Sequence, residues 1–322
     1  MVTATASVPT ADRSSSSSSK TPSQALTVAI TGASGLVGQA LTRSLVAGGH
    51  KVVPLVRGVA RPGQASWDPA RGIVDESALA GTDAIVHLAG ENIAEGRWTS
   101  AKKRRIYDSR VTGTQKLCES LARMAHPPKT LVCASAIGYY GHAGDSVVAE
   151  DSASGKGFLA DVCVAWERAT KPAEEAGIRV VQLRIGIVLS RAGGALRKML
   201  LPFQLGAGGV VGHGAQYWSW VSLPDLVGMF EHALVCEQLH GPVNAVAPEA
   251  VTNREFTKTL GRVLHRPTIF PMPAFAARLA LGEMADALLM ASTRVAPVRL
   301  RETGYSFKHP ELEGALRAVL AK

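Results

Sequence analysis

The chain has 322 residues, 46% of them hydrophobic, and a formal net charge of +9, which is enough to bury a large core as one big α/β domain or two smaller ones. No apolar run approaches the ~20 residues of a membrane span: residues 180–189 are short and contain Arg184, and residues 273–291 are interrupted by Arg278, Glu283 and Asp286. The excess positive charge sits in residues 1–67 and 98–124; the basic run 102–105 opens a helical pattern with no interleaved aromatic residues, so it reads as a solvated helix face and not as a nucleic-acid surface.

In chain order, residues 1–25 come first, rich in Ser, Thr and Ala, with serine unbroken from 14 to 19. They read as a disordered tail. No secretory apolar core is present there, which fits a cytoplasmic protein. The Ser-rich, acid-poor composition overlaps with plastid transit peptides and keeps a plastid location as the alternative.

Residues 27–31 form a short apolar, β-branched run. Residues 32–38 (GASGLVG) follow at once, residues 39–47 carry a helical pattern, and a second apolar run at 51–56 ends in Arg57. Strand, glycine turn, helix and strand together predict the phosphate end of a dinucleotide site: glycine permits the tight bend, and the helix N-terminus offers unpaired N–H groups to the anion. The residue closing the second strand selects the nucleotide. A carboxylate there would bind a ribose 2′-OH, whereas arginine accommodates a 2′-phosphate. Here the position holds Arg57, Arg61 follows, and no Asp or Glu occurs between Asp12 and Asp68. NADP(H) is the expected cofactor.

The rest alternates. Strands are expected at 83–89, 130–134 and 179–189, and helices at 99–124 and 157–176, the latter stopped by Gly177. Such alternation predicts an α/β fold with a doubly wound parallel sheet, residues 26–190 forming the nucleotide-binding unit. Beyond 190 glycines crowd together and helices dominate, at 224–236, 253–264, 273–290 and 311–320, with short strands at 241–246 and 268–270. Residues 191–322 are read as a smaller, mainly helical, substrate-covering lobe. Cys118, Cys133, Cys163 and Cys236 show no C-x-x-C spacing and no metal-ligand pattern with histidine, so they read as buried small hydrophobes and no metal is expected.

With its motifs in this order the chain resembles the extended short-chain dehydrogenase/reductase superfamily, and within it an atypical, nucleotide-sugar-epimerase-like branch of epimerase family proteins. The matching blocks are residues 31–38 (TGASGLVG), 87–93 (HLAGENI), 97–98 (RW), 108–110 (DSR), 135–141 (SAIGYYG), 166–167 (WE), 218–225 (WSWVSLPD), 294–300 (RVAPVRL) and 304–310 (GYSFKHP). The resemblance spans about residues 26–321 and implies a Rossmann-type NAD(P) domain. It implies that the turn Gly32, Ala33, Ser34, Gly35, Leu36, Val37 and Gly38 holds the phosphates. Val56 and Arg57 would meet the adenosine ribose and its phosphate, and Leu88, Ala89 and Gly90 would line the adenine-ribose side. Arg110 would face the cleft, Ile187 would lie near the nicotinamide, and Ser135 would stand where the superfamily has its catalytic hydroxyl.

One departure stands out. Ordinary members carry Tyr-x-x-x-Lys on the helix after the serine loop, where one helical turn sets both side chains on one face for proton transfer. Counting back from Glu167, those positions hold Leu159 and Cys163, and none of the five tyrosines has lysine four residues on. Tyr139 or Tyr140 is nominated as a substitute acid, against packing beside the cofactor. Glu91 is expected to pair with Arg97 or Arg110, and Trp98, Trp218 and Trp220 to pack in the core. The expected function is an NADP(H)-dependent oxidoreductase or epimerase acting on a small polar substrate. The alternative is an NADPH-binding regulatory module without robust turnover, a reading supported by the association of plastid relatives with organelle division. A small-molecule substrate is the expected partner, with no nucleic acid or membrane, and the helix at 99–124 could form a homodimer interface.

Overall fold

The computed structural model describes residues 25–321; except for Ala25, the Ser-rich tail lies outside the described residues. The first half runs β1 (Thr27–Thr31), α1 (Leu36–Ala47), β2 (Lys51–Val56), β3 (Ala65–Asp68), β4 (Ile73–Val74), β5 (Ala84–His87), α2 (Ser100–Arg123) and β6 (Thr130–Ala136). Then come β7 (Val147–Val148), α3 (Phe158–Arg168), α4 (Lys171–Glu175), β8 (Arg179–Ile185), β9 (Ile187–Leu189) and α5 (Gly194–Gln204). They are followed by β10 (Tyr217–Trp218), β11 (Trp220–Ser222), α6 (Leu223–Val235), β12 (Gly241–Ala245), β13 (Val251–Thr252) and α7 (Asn253–Leu264). The C-terminal part holds α8 (Ala274–Leu281), α9 (Glu283–Ala285), β14 (Arg294–Val295), α10 (Val298–Glu302) and α11 (Leu312–Leu320).

The main sheet has eight strands in the order β12-β8-β6-β5-β1-β2-β3-β4. All neighbours are parallel except β3 and β4 at one edge. The strand order reverses direction between β1 and β5, with Thr31 in register with both Leu55 and His87. This is the doubly wound α/β sheet expected from the alternation, and the crevice outside the strand ends at the reversal is where such sheets bind ligands.

Its strands are buried on both faces, as parallel strands between helix layers must be. Val28, Ile30, Val86, Val132 and Val181 pack with Leu41 and Leu45 of α1 and with Leu226 and Phe230 of α6. The alternate residues Ala29, Ile85, Leu131 and Val180 pack with Leu117, Cys118 and Leu121 of α2 on the other face. The period of two along each strand thus builds two cores, and each fully buried aliphatic side chain contributes about 1.5–3 kcal/mol.

A third core holds the C-terminal lobe together: Leu196, Leu200 and Phe203 of α5, Phe256 and Leu260 of α7, Leu312 and Leu316 of α11, and Trp218 and Trp220. The motif block around 218–225 meets the block around 304–310 at Asp225, whose buried carboxylate accepts the backbone N–H groups of Lys308 and His309.

Several boundaries differ from expectation. The helix expected over 157–176 is two helices, because Pro172 has no N–H to donate and its ring clashes with the preceding turn. The helix expected over 273–290 is broken at Gly282, which has φ +63°, and ends in a π-helical turn, Asp286–Met290. No strand forms at 268–270; that segment is an irregular stretch with Ile269 and Phe270 exposed. Conversely, α5 was hidden by its flanking glycines and internal Pro202, although Leu196, Leu200 and Phe203 form its buried stripe. Beyond residue 190 the chain returns to the sheet: β12 pairs with β8, and α6 packs on α1.

Candidate functional site

The parallel strands end on one edge, at Thr31, Val56, His87, Ala136 and Ile185. That edge brings together the glycine turn, Arg57, the 88–90 segment, Ser135 and Ile187, all expected from sequence to share a site.

Gly32 has φ +68°, and a Cβ there would lie 2.9 Å from the Leu88 carbonyl carbon and 3.0 Å from the Ala89 nitrogen. A Cβ on Gly38 would lie 2.3 Å from the Gly32 oxygen. Gly35 is the N-cap of α1 and supplies no side-chain cap; its own amide donates to the Gly32 carbonyl, and the first amide within the helix to find a backbone partner in the turn is Gln39, which donates to the Gly35 carbonyl. The amides of Leu36, Val37 and Gly38 are therefore the unpaired N–H groups of the helix start, where the dipole favours an anion. Helix α1 begins at Leu36 and not at Gln39, so these groups lie inside the glycine turn itself. Arg57 is exposed just beyond β2, with Val56 half-buried beside it.

Behind this turn lies a network that sequence reading missed. Thr31 Oγ1 accepts hydrogen bonds from the amides of Leu88 (3.0 Å) and Ala89 (3.2 Å) and lies 2.7 Å from His87 Nδ1. With both lone pairs filled, the Thr31 hydroxyl donates to Nδ1, so the ring proton sits on Nε2, 3.0 Å from Thr114 Oγ1. Thr114 also accepts from the Trp166 indole at 2.9 Å. Burial lowers the His87 pKa to about 4, keeping the ring neutral. Its signal in the sequence was a histidine inside an otherwise apolar strand.

Arg110, on α2, donates to the Glu91 carbonyl at 2.9 Å, and its guanidinium lies 5.1 Å from the centre of the Trp166 ring. A Cβ on Gly90 would come within 3.4 Å of that guanidinium. Arg110 thus lies against the segment that follows β5. The Glu91 carboxylate does pair, but with Lys102 at 2.8 Å and Arg105 at 3.3 Å instead of Arg97 or Arg110. The Lys102 hydrogen bond, helped by Arg105, lowers its pKa.

Ser135 ends buried on β6, and its hydroxyl donates to Glu167 Oε1 at 2.7 Å. Glu167 in turn forms a two-pronged pair with Arg184, whose Nε and Nη2 each lie 2.8 Å from a carboxylate oxygen. Arg184 also donates to the Tyr140 hydroxyl (2.9 Å) and to the Glu150 carbonyl (3.1 Å). Tyr140 donates to Asn244 at 2.7 Å; burial pushes its pKa up to about 12. Tyr140 is therefore a buried structural tyrosine. Tyr139 is half-buried, with its ring 3.5 Å from the Arg184 guanidinium. The signal for this network was a charged residue, Arg184, within a strand otherwise buried on both faces.

Leu159 and Cys163, the two positions that the resemblance assigns to the missing dyad, lie against the turn after Ser135. A Cβ on Gly138, in the turn after Ser135, would lie 3.4 Å from Leu159 Cβ and 3.7 Å from Cys163 Sγ. Burial pushes the Cys163 thiol up to about 12, so it stays protonated at neutral pH. Trp98, Trp218 and Trp220 are buried in cores, as expected. Ile187 stands beyond the end of β8, paired with Trp220 and half-buried.

The NAD dependent epimerase/dehydratase family pattern matches residues 28–244, and a domain of unknown function, DUF1731, matches residues 272–319. Epimerase family protein MT2273 of Mycobacterium tuberculosis is 46% identical over 290 residues, 90% of this chain and 96% of its own length. The chloroplastic SDR39U1 homologue of Arabidopsis thaliana is 38% identical, over 92% of this chain and 87% of that protein. The crystal structure of human epimerase family protein SDR39U1 with NADPH superposes with a TM-score of 0.84 at 36% identity, covering 91% of this chain and 99% of that one. With the sheet order, the glycine turn and both halves of the chain matched, this protein belongs to the NAD dependent epimerase/dehydratase family.

Proposed function

We propose that this protein is an NADP(H)-dependent oxidoreductase or epimerase whose proton-transfer apparatus differs from the usual tyrosine–lysine dyad. The observation that carries the reading is the coincidence, at the strand-order reversal, of three unpaired α1 amides with an exposed Arg57 and no carboxylate on the adjoining segment. The residues fit the cofactor: the close approaches at Gly32 and Gly38 leave no room for side chains, and the human relative's structure holds NADPH.

When bound, the dinucleotide supplies a hydride, and the chain must manage the matching proton. Ser135 already donates to Glu167, so it can accept from a substrate hydroxyl but its own hydrogen is engaged. Tyr139 is the remaining hydroxyl at the turn, and we assign it the acid role. Arg184, 3.5 Å from the centre of its ring, holds the Tyr139 side chain in place at the turn.

A second reading, NADPH binding without robust turnover in a redox-sensing or partner-regulating module, is favoured by the apolar Leu159 and protonated Cys163 at the dyad positions. Following NADPH absorbance across a panel of carbonyl compounds and nucleotide sugars separates the two. Turnover abolished by Tyr139→Phe and reduced by Ser135→Ala supports the enzyme. Tight NADPH binding with no turnover on any member supports the module.

We place the protein in the cytoplasm, with the plastid as the alternative on account of the chloroplastic relative. No helix among the described residues is long and apolar enough to cross a membrane. A groove of about 590 Å³ along α2, α3 and α4, lined by Tyr107, Val111, Val164 and Ala165 among others, supports a homodimer built on this face.

A further inference from the structure

The C-terminal lobe carries a groove of about 760 Å³ along α7 and the turn that follows it, and none of its lining residues belongs to the strand-end edge. Arg254, Lys258 and Arg262 succeed one another at four-residue intervals on α7, so they share one face of the helix. His265 and Arg266 continue the lining past the end of the helix, and Glu255 is the one acid among the lining residues. That carboxylate is turned back to the amide and hydroxyl of Thr252, closing the capping box of α7.

The cations are set in place without being neutralised. Arg254 donates to the His213 carbonyl at 2.8 Å, Lys258 to the Thr268 carbonyl at 3.0 Å and Arg266 to the Gln204 carbonyl at 2.8 Å. A carbonyl is an uncharged acceptor, so each side chain is ordered and keeps its full charge. Only Arg262 among them pairs with a carboxylate within the described residues, Glu313 at 3.3 Å; the two side chains are 66% and 40% exposed, and exposed pairs are worth little. A cleft lined by one sign of charge focuses its field on an incoming anion. His265 adds a separate sign of use. With φ +54° it is the one non-glycine residue of positive φ among the described residues. Glycine suits that helix-end position best, so a histidine held there costs stability and points to a use for its exposed side chain.

Spacing selects the occupant. Side chains four residues apart on a helix are separated by about 6 Å along its axis, and alternate residues of an extended chain are about 6.6 Å apart on one face. A segment with Asp or Glu at every second position therefore sets one carboxylate opposite each of Arg254, Lys258 and Arg262. No aromatic residue lines the groove to stack a nucleic-acid base. A second copy of this chain brings the same excess of positive charge, and the Ser-rich tail supplies one acid, Asp12.

We propose that this groove docks a protein partner by an extended acidic segment with carboxylates at alternate positions. The docking site is independent of the cofactor site and of the reaction run there.

The test measures fluorescence anisotropy of labelled peptides on the full-length protein. A peptide of repeating glutamate and threonine should bind, with affinity falling as salt is raised. Its glutamine counterpart, and a peptide of the same composition with the glutamates gathered in one block, should bind several-fold more weakly. Lys258→Glu with Arg262→Glu, both at exposed positions, should weaken the alternating peptide by about tenfold or more while leaving NADPH affinity unchanged. His265→Gly should raise Tm and weaken the same peptide several-fold. Equal binding of the three peptides, undiminished affinity in either variant, or oligothymidylate or tripolyphosphate binding more tightly than the alternating peptide overturns the proposal.

Discussion

Replacing Arg184 with methionine tests whether the buried network around Ser135 is held by one ion pair. The two charged side chains are 2% and 12% exposed, and Arg184 meets Glu167 through two hydrogen bonds of 2.8 Å. Although burial opposes a charge, Glu167 holds the arginine's pKa above its ordinary value. Methionine keeps much of the volume but leaves the Glu167 carboxylate with only the Ser135 hydroxyl, and it strips a donor from Tyr140 and from the Glu150 carbonyl. Removing one partner of such a pair costs about 3–5 kcal/mol. In a chain of this size that corresponds to a fall in Tm of roughly 6–20 °C, at about 2–4 °C per kcal/mol.

The double variant Arg184→Met/Glu167→Met should recover most of the loss, because replacing a whole buried pair by apolar groups is close to neutral. Calorimetric scans on the three proteins provide the check. An Arg184→Met protein within 2–3 °C of wild type, on the same scale of degrees per kcal/mol, or a double variant no better than the single, refutes the reasoning.

Three further predictions concern other parts of the site. Gly38→Ala gains about 1 kcal/mol of helix propensity but forces a Cβ to 2.3 Å from the Gly32 oxygen, an overpacking cost of about 1–3 kcal/mol; NADPH binding should weaken tenfold or more, and unchanged affinity would show that the turn tolerates side chains. His87, lowered from 6.5 to about 4 by burial, contributes stability that is complete above pH 6.5 and is lost as pH falls toward 4, amounting to about 3 kcal/mol. Urea unfolding of His87→Asn should show a flatter pH dependence over that window, and an unaltered slope would remove His87 as its source. Cys118, Cys133 and Cys163 are buried while Cys236 is partly exposed, so a thiol reagent at neutral pH should label Cys236 first and the others only on unfolding; fast native labelling of Cys163 would contradict its placement.

Much of the fold was legible because two periodicities are written plainly in the chain. Residues 28–31, 84–87 and 130–136 are continuous apolar or small runs, as strands buried on both faces must be, and the stripe Ile106, Leu117 and Leu121 places α2. The glycine turn was legible for a steric reason, since Gly32 and Gly38 occupy positions where any Cβ collides with backbone. What was not legible depended on long-range pairing. That Glu167 meets Arg184 across 17 residues, or that Glu91 selects Lys102 and Arg105, follows from how α3 and α2 lie on the sheet. Local pattern also misled at 268–270, where a β-branched and an aromatic residue read as a strand but face solvent, and at α5, where glycines and Pro202 obscured a helix carried by tertiary packing.

The central claim is that the strand-order reversal holds NADP(H), selected by Arg57. Measuring NADPH and NADH affinities of the wild type and of Arg57→Asp by titration calorimetry tests it most directly. The wild type should prefer NADPH, and the substitution should weaken NADPH binding far more than NADH binding, since it removes a charge-assisted contact worth about 1.5–3 kcal/mol and adds repulsion of the 2′-phosphate. Equal losses for the two nucleotides, or a wild type that favours NADH, would contradict the account.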